Sequence, residues 1–168
     1  DEWEAYLSYI RETSTDWPRE RDNLVAAYRD RLLDPAQRMA AAAAFVTYEL
    51  SISHLHKNEE RIESVMSTPE VLVPFAALEV HYMLFSGFMR RGQLLDDVAA
   101  TKDHRIHLVH GRNDAVCLPK AAARLRDALH AAGAGDNLTW EFVEAAGHSD
   151  SEPPIARALR RATDMLAD

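Results

Sequence analysis

Two stretches decide the fold: Arg105-Ile106-His107-Leu108-Val109-His110-Gly111-Arg112-Asn113-Asp114, and Leu138-Thr139-Trp140-Glu141-Phe142-Val143-Glu144-Ala145-Ala146-Gly147-His148-Ser149. In each, a short run rich in aliphatic, β-branched or aromatic residues ends in a glycine-containing turn that delivers a titratable side chain. Residues 105–110 predict one strand, and residues 138–143 a second that alternates Leu, Trp and Phe with polar residues. Between them, residues 119–132 predict a helix with Ala122, Leu125 and Leu129 on its apolar face, closed by Gly133. Residues 152–166 predict a last helix with Pro153 and Pro154 in its first turn. Strand, helix, strand, helix implies a parallel pair with a right-handed crossover.

Toward the N-terminus the pattern is helical. Trp3, Tyr6, Leu7 and Ile10 recur at helical spacing, as do Leu24, Ala27, Tyr28 and Leu32. Asp34-Pro35 predicts a helix start, with Asp as N-cap and Pro in the first position, leading into the alanine-rich run 39–46. Ser67-Thr68-Pro69 breaks the pattern before a further helix over about 70–84, and Gly87 and Gly92 punctuate the residues beyond it. The expected organisation is a helical domain over 1–90 and an α/β part over 91–168.

Composition bounds the function. The chain has 168 residues, 47% hydrophobic and 27% charged, which is the balance of a globular protein. A formal net charge of −8 disfavours nucleic acid and anionic membrane as partners and suits a substrate bearing positive charge. The apolar run 39–46 is too short to span a bilayer. With a single cysteine, Cys117, no intrachain disulfide is possible, and a reducing, cytoplasmic compartment is the expectation.

An aspartate and then a histidine in successive strand-end loops is the order of the last two members of a Ser…Asp…His hydrolase triad. Loops at the carboxyl edge of a parallel sheet are where such groups gather. Asp114 would hold an imidazole in one tautomer, and His148 would move the proton. The bland alternatives are a turn-forming Asp and an ordinary loop His. No Gly-x-Ser-x-Gly occurs among the six glycines, so the expectation is the C-terminal part of a larger enzyme whose nucleophile lies elsewhere. The histidines at 54, 56, 104, 107 and 110 invite a zinc reading, but His107 points to the opposite face from His104 and His110 and no carboxylate or thiol completes a tetrahedron. No metal and no other cofactor is expected.

The chain resembles the C-terminal half of the prolyl iminopeptidases, α/β-hydrolase aminopeptidases that release an N-terminal proline. The resemblance is carried by Ala43-Ala44-Phe45-Val46-Thr47-Tyr48-Glu49, by Ala77-Leu78-Glu79-Val80-His81-Tyr82, and by Gly87-Phe88 and Gln93-Leu94-Leu95. It continues through His110-Gly111-Arg112-Asn113-Asp114-Ala115-Val116-Cys117, Ala146-Gly147-His148-Ser149, Glu152-Pro153 and Thr163-Asp164. It implies a helical cap followed by the last two β-α units of a mostly parallel α/β-hydrolase sheet. It also implies that Asp114 and His148 are catalytic and that Glu49 and Glu79 are cap carboxylates holding the substrate's free amine, with Cys117 and Tyr82 near the site. The implied partners are a peptide with a free N-terminal proline and an N-terminal hydrolase segment, in cis or as a second chain. Where the family carries Trp and Phe, Tyr48 and Met83 stand here, which implies a looser pocket around the proline ring. Two other readings fit the residues alone: a different capped α/β hydrolase, such as an esterase or epoxide hydrolase, and a non-catalytic binding or assembly module.

Overall fold

The structure is a computed structural model and describes residues 1–167. The chain divides into two compact units. One comprises Asp1–Ser51 and Asn58–Arg91; the other comprises Ile52–Lys57 and the chain from Gly92 onward. The segment 52–57 thus leaves the helical part of the sequence and packs with the α/β part, which sequence patterning did not anticipate.

The first unit is helical: α1 (Glu2–Thr13), α2 (Trp17–Arg21), α3 (Leu24–Leu33), α4 (Arg38–Ser53), α5 (Glu59–Met66) and α6 (Pro69–Leu84). Side-chain oxygens of Asp1, Asn23 and Asn58 accept backbone N–H groups in the first turns of α1, α3 and α5, each replacing a bond that the helix cannot make for itself. The core gathers Ile10, Tyr28, Val46, Leu72 and Val80, all essentially inaccessible. Ala41 and Ala42 are fully buried in the same core. Tyr28 stacks on Tyr6 with ring centroids 4.5 Å apart, meets the Phe45 ring edge-on, and donates its hydroxyl to the Tyr6 carbonyl at 2.7 Å. Burial pushes the Tyr6 and Tyr28 phenols far above their ordinary range, so both stay neutral.

The helix expected to open at Asp34-Pro35 begins instead at Arg38. Asp34 has extended backbone, and its side chain accepts from the Ala36 N–H (2.9 Å) and the Gln37 amide (2.7 Å), making a polar turn that precedes the helix.

The second unit contains α7 (Gln93–Asp96), β1 (Ile106–Gly111), α8 (Pro119–Ala131), β2 (Leu138–Val143) and α9 (Pro153–Ala167). The strands pair in parallel, from Ile106 opposite Leu138 to Gly111 opposite Val143. Strand alternation sends Ile106, Leu108 and Leu138 toward Leu129 of α8, and Val109 and Val143 toward Ile155 and Ala158 of α9. The two-stranded sheet is therefore covered by a helix on each face, as parallel sheets require. Leu138 is buried under α8. Trp140 is the exposed aromatic of β2, with the Arg126 guanidinium 5.3 Å from its ring. A helix-rich chain with a small parallel sheet is compatible with part of an α/β fold. Among the described residues no single helix is long and apolar enough to cross a membrane.

In the helical unit, Arg31 of α3 is buried and its guanidinium meets the Glu20 carboxylate at 2.8 Å, Thr13 Oγ1 at 2.7 Å and the Ala27 carbonyl at 3.1 Å. The Arg31 hydrogen bond holds the Glu20 carboxyl below its ordinary range. Arg31→Ala is expected to lower the unfolding free energy by about 2–3 kcal/mol, because a shielded carboxylate loses its partner. The pair's contribution is complete above the ordinary glutamate range and is lost as the pH falls through the lowered Glu20 value. Urea midpoints between pH 3 and 7 should therefore fall less steeply on the acid side in the variant than in the wild type.

Candidate active site

Both strands of the second unit end in loops at the same edge of the sheet, and backbone hydrogen bonds lace those loops together. The Arg112 N–H donates to the Val143 carbonyl and the Asn113 N–H to the Ala146 carbonyl, each at 2.9 Å. Gly111 and Gly147 are in van der Waals contact: a Cβ on residue 111 would lie 1.8 Å from the Gly147 carbonyl oxygen. Only glycine allows that approach. The sharp turn of the second loop falls at Ala145, whose φ is +52°, and Gly147 is required by proximity, since a Cβ there would lie 2.7 Å from the Leu55 nitrogen.

This approach brings Asp114 to His148. Asp114 is buried, and its carboxylate divides its work. Oδ1 accepts from the backbone N–H groups of Val116 (2.9 Å) and Cys117 (2.8 Å), closing its own turn. Oδ2 accepts from His148 Nδ1 at 2.9 Å. The turn-forming and histidine-holding readings of Asp114 are thus both satisfied, one oxygen each. With its proton on Nδ1, the imidazole keeps Nε2 as the basic nitrogen, on a side chain that remains 39% exposed.

A second histidine touches the same carboxylate. His110 Nε2 lies 2.8 Å from the Cys117 carbonyl and 3.3 Å from Asp114 Oδ2. A carbonyl only accepts, so this nitrogen carries a proton and is shared between the two oxygens. Sequence reading places His110 in a metal run and in the family segment, without pairing it to Asp114. His107, on the opposite strand face, is engaged by Thr139 Oγ1 at 2.5 Å. Among the described residues no group of three or more His, Cys, Asp or Glu side chains is placed to hold a metal ion.

The His148 loop is also fixed from its other side. Its N–H (2.9 Å) and that of Ser149 (2.8 Å) both donate to the carbonyl of Ser53, the last residue of α4. Buried Glu152 accepts from the Gly147 N–H at 2.7 Å through Oε1 and from the Leu55 N–H at 3.2 Å through Oε2. His54 Nε2 lies 3.2 Å from Ser151 Oγ. Sequence reading places Glu152 at the start of the last helix and in a motif, with no contact to another segment. The Ser149-x-x-Glu152 spacing ahead of Pro153 was the available signal, a helix-start pattern whose carboxylate turned out to serve another segment.

Of the other candidates, Glu49, Glu79 and Tyr82 belong to the first unit and Cys117 to the second. Glu49 is buried on α4, on the same stripe as Ala41, Ala42, Phe45 and Val46. Its charge helps to raise the Tyr48 phenol, after burial. Glu79 is half-buried on α6. Tyr82 is exposed near the end of α6, with its ring edge-on to Phe88 at 5.5 Å. Cys117 is exposed on the Asp114 loop.

Gly111→Ala is expected to force the two loops apart and to cost about 3 kcal/mol of stability, since backbone and not a flexible side chain meets the new methyl. The check is a urea or thermal transition, together with loss of the low-field proton resonance of a His Nδ1–H bonded to carboxylate.

No protein-family model matches the chain. Among curated proteins, it is 36% identical over 170 aligned residues to the proline iminopeptidase of Xanthomonas citri, an alignment covering 99% of this chain and 50% of that protein. It is 35% identical over 169 residues to the protein named probable proline iminopeptidase of Leptolyngbya boryana, covering 99% of this chain and 49% of the relative. The chain spans about half the length of each. Across nearly all of its own length, therefore, this chain is a homologue of the proline iminopeptidases.

Proposed function

We propose that the chain forms the cap and the Asp–His part of an α/β-hydrolase aminopeptidase that releases N-terminal proline through an acyl-enzyme. The observation that carries this reading is the Asp114 Oδ2–His148 Nδ1 hydrogen bond of 2.9 Å, built from two loops at one edge of a parallel sheet. The names of the relatives supply the substrate class. In this reading a serine from a segment outside these 168 residues attacks the prolyl carbonyl. His148 Nε2 takes the hydroxyl proton and returns it to the leaving amine, and Asp114 stabilises the imidazolium that forms between those steps. Water then repeats the cycle to release proline. Glu49 and Glu79 receive the positively charged proline nitrogen through charge-assisted hydrogen bonds.

The second unit supports a further segment seated beside it. An apolar groove of about 550 Å³ runs along Leu94, Val98, Ile106, Leu108 and Leu125, and Leu94 and Leu118 are exposed. Two strands are fewer than an independently stable sheet needs. The 168-residue chain purified alone is expected to lack a cooperative thermal transition and to turn over no proline arylamide; a sharp monomeric transition, or turnover, would count against the missing-segment reading.

The complete protein is expected to hydrolyse proline arylamide and to leave its N-acetylated counterpart untouched. Asp114→Asn should lower kcat by about 10³- to 10⁴-fold, as a wrong tautomer does elsewhere. Glu79→Gln should raise KM for free-amine substrates by about tenfold or more while leaving an uncharged ester of similar size within about twofold, the loss of one charged hydrogen bond. Equal losses on both substrate types would point to an esterase-type hydrolase in which Glu79 supports only the fold.

A further inference from the structure

His148 is held by more than Asp114. We propose that Glu152 is a positioning residue for His148: its buried carboxylate clamps the Gly147 N–H and the Leu55 N–H, so that the loop carrying the imidazole is fixed against the segment that leaves α4. The proposal rests on the reading of His148 as the proton-transfer group.

The geometry is that of a two-sided clamp. Oε1 takes the Gly147 N–H at 2.7 Å and Oε2 the Leu55 N–H at 3.2 Å, so a single carboxylate bridges the peptide just before His148 to the strap 52–57. On the same strap, the Ser53 carbonyl accepts from both His148 and Ser149. That carbonyl lies in the last turn of α4, where no intrahelical donor exists, so the helix end and the His148 loop satisfy each other. The space left is minimal: a Cβ on Gly147 would lie 2.8 Å from Glu152 Oε1 and 2.7 Å from the Leu55 nitrogen.

The sequence explains why this carboxylate is available. Glu152 immediately precedes α9, and its carbonyl accepts the Ala156 N–H, the position of a helix N-cap. An acidic N-cap ordinarily turns its side chain onto the first-turn N–H groups. Here the first two helical residues, Pro153 and Pro154, have no N–H to offer, which leaves only the third, Ile155, as a capping donor. The carboxylate is released to serve Gly147 and Leu55, and the positive end of α9 stabilises its charge where it lies buried. Without it, a buried N–H and a part-buried one lose their acceptor and the strap loses its bond to the loop.

The consequence for chemistry is distance. His148 Nδ1 must stay on Asp114 Oδ2 for Nε2 to be the basic nitrogen, and a loop shift of about 1 Å at a reacting group costs about a hundredfold in rate. Glu152 touches no reacting atom; it acts through the backbone of Gly147.

The test uses the complete protein, with Glu152→Ala and Glu152→Gln, read by kcat and KM on proline arylamide at a temperature where each variant is folded. In parallel, the low-field proton resonance of His148 Nδ1–H is recorded. The expected result is a kcat lowered about tenfold to hundredfold in Glu152→Ala with KM within about threefold, together with loss or upfield movement of the resonance. Glu152→Gln, which keeps one acceptor oxygen and presents an NH₂ to the other donor, should fall between wild type and Glu152→Ala in both readouts. An unchanged resonance in Glu152→Ala, whatever the kcat, would overturn the proposal, and so would an unchanged kcat with the resonance lost. A wild-type protein that shows the resonance but cleaves neither arylamide nor ester would defeat the hydrolase reading, and the resonance of the variants would then decide the positioning role.

Discussion

The second unit depends on a near-collision. The Gly147 carbonyl oxygen occupies the place where any side chain on residue 111 would begin, so the loops at the ends of the two strands lie backbone against backbone. Every feature of the site depends on that approach. It allows Arg112 and Asn113 to hydrogen-bond across to Val143 and Ala146, and it sets the depth at which Asp114 is buried. It also places the imidazole of His148 within reach of a carboxylate on another strand's loop. Two residues without side chains, one per loop, are the physical condition for two side chains to meet.

Asp114 and Glu152 solve the same problem in the same way. Each is a buried carboxylate whose charge is met largely by backbone N–H groups, which are fixed by the fold and cost no side-chain entropy to aim. Asp114 spends one oxygen on its own turn and one on His148. Glu152 gives one oxygen to the loop and one to the strap. The two acids hold the His148 segment from opposite sides, one at the ring and one at the preceding peptide, with the shared His110 proton bracing the first of them.

The helical unit is governed by a different constraint, the packing of α4. Its alanines permit close approach, and its buried stripe runs on through Phe45 and Val46 to Glu49 and Leu50. Glu49 on that stripe departs from the pattern of an otherwise apolar face. The Arg31–Glu20 pair likewise carries charge into the unit, where it serves the packing of α2 and α3.

What the sequence determined by itself is the run of strands and helices in the α/β part. The two strands, α8 and α9 are legible because alternation, helical periodicity and Gly or Pro boundaries act over a few residues and dominate locally. The pairing of Asp114 with His148 was legible for the same reason: each comes just after a strand end, and parallel strands bring their carboxyl ends to one edge. The start of α4 was misread because Asp34 used its side chain to close a turn over Pro35 where a helix cap was expected, a competition between two local bonds that composition cannot rank. Only the tertiary structure decided what depends on distant residues. It joined the strap 52–57 to the α/β unit, made Gly147 a contact residue and gave the turn to Ala145, and diverted Glu152 from its own helix. It also laid His110 against Asp114. Each of these is a hydrogen bond or a close approach whose partner is supplied by another element, and no periodicity along the chain records which element that will be.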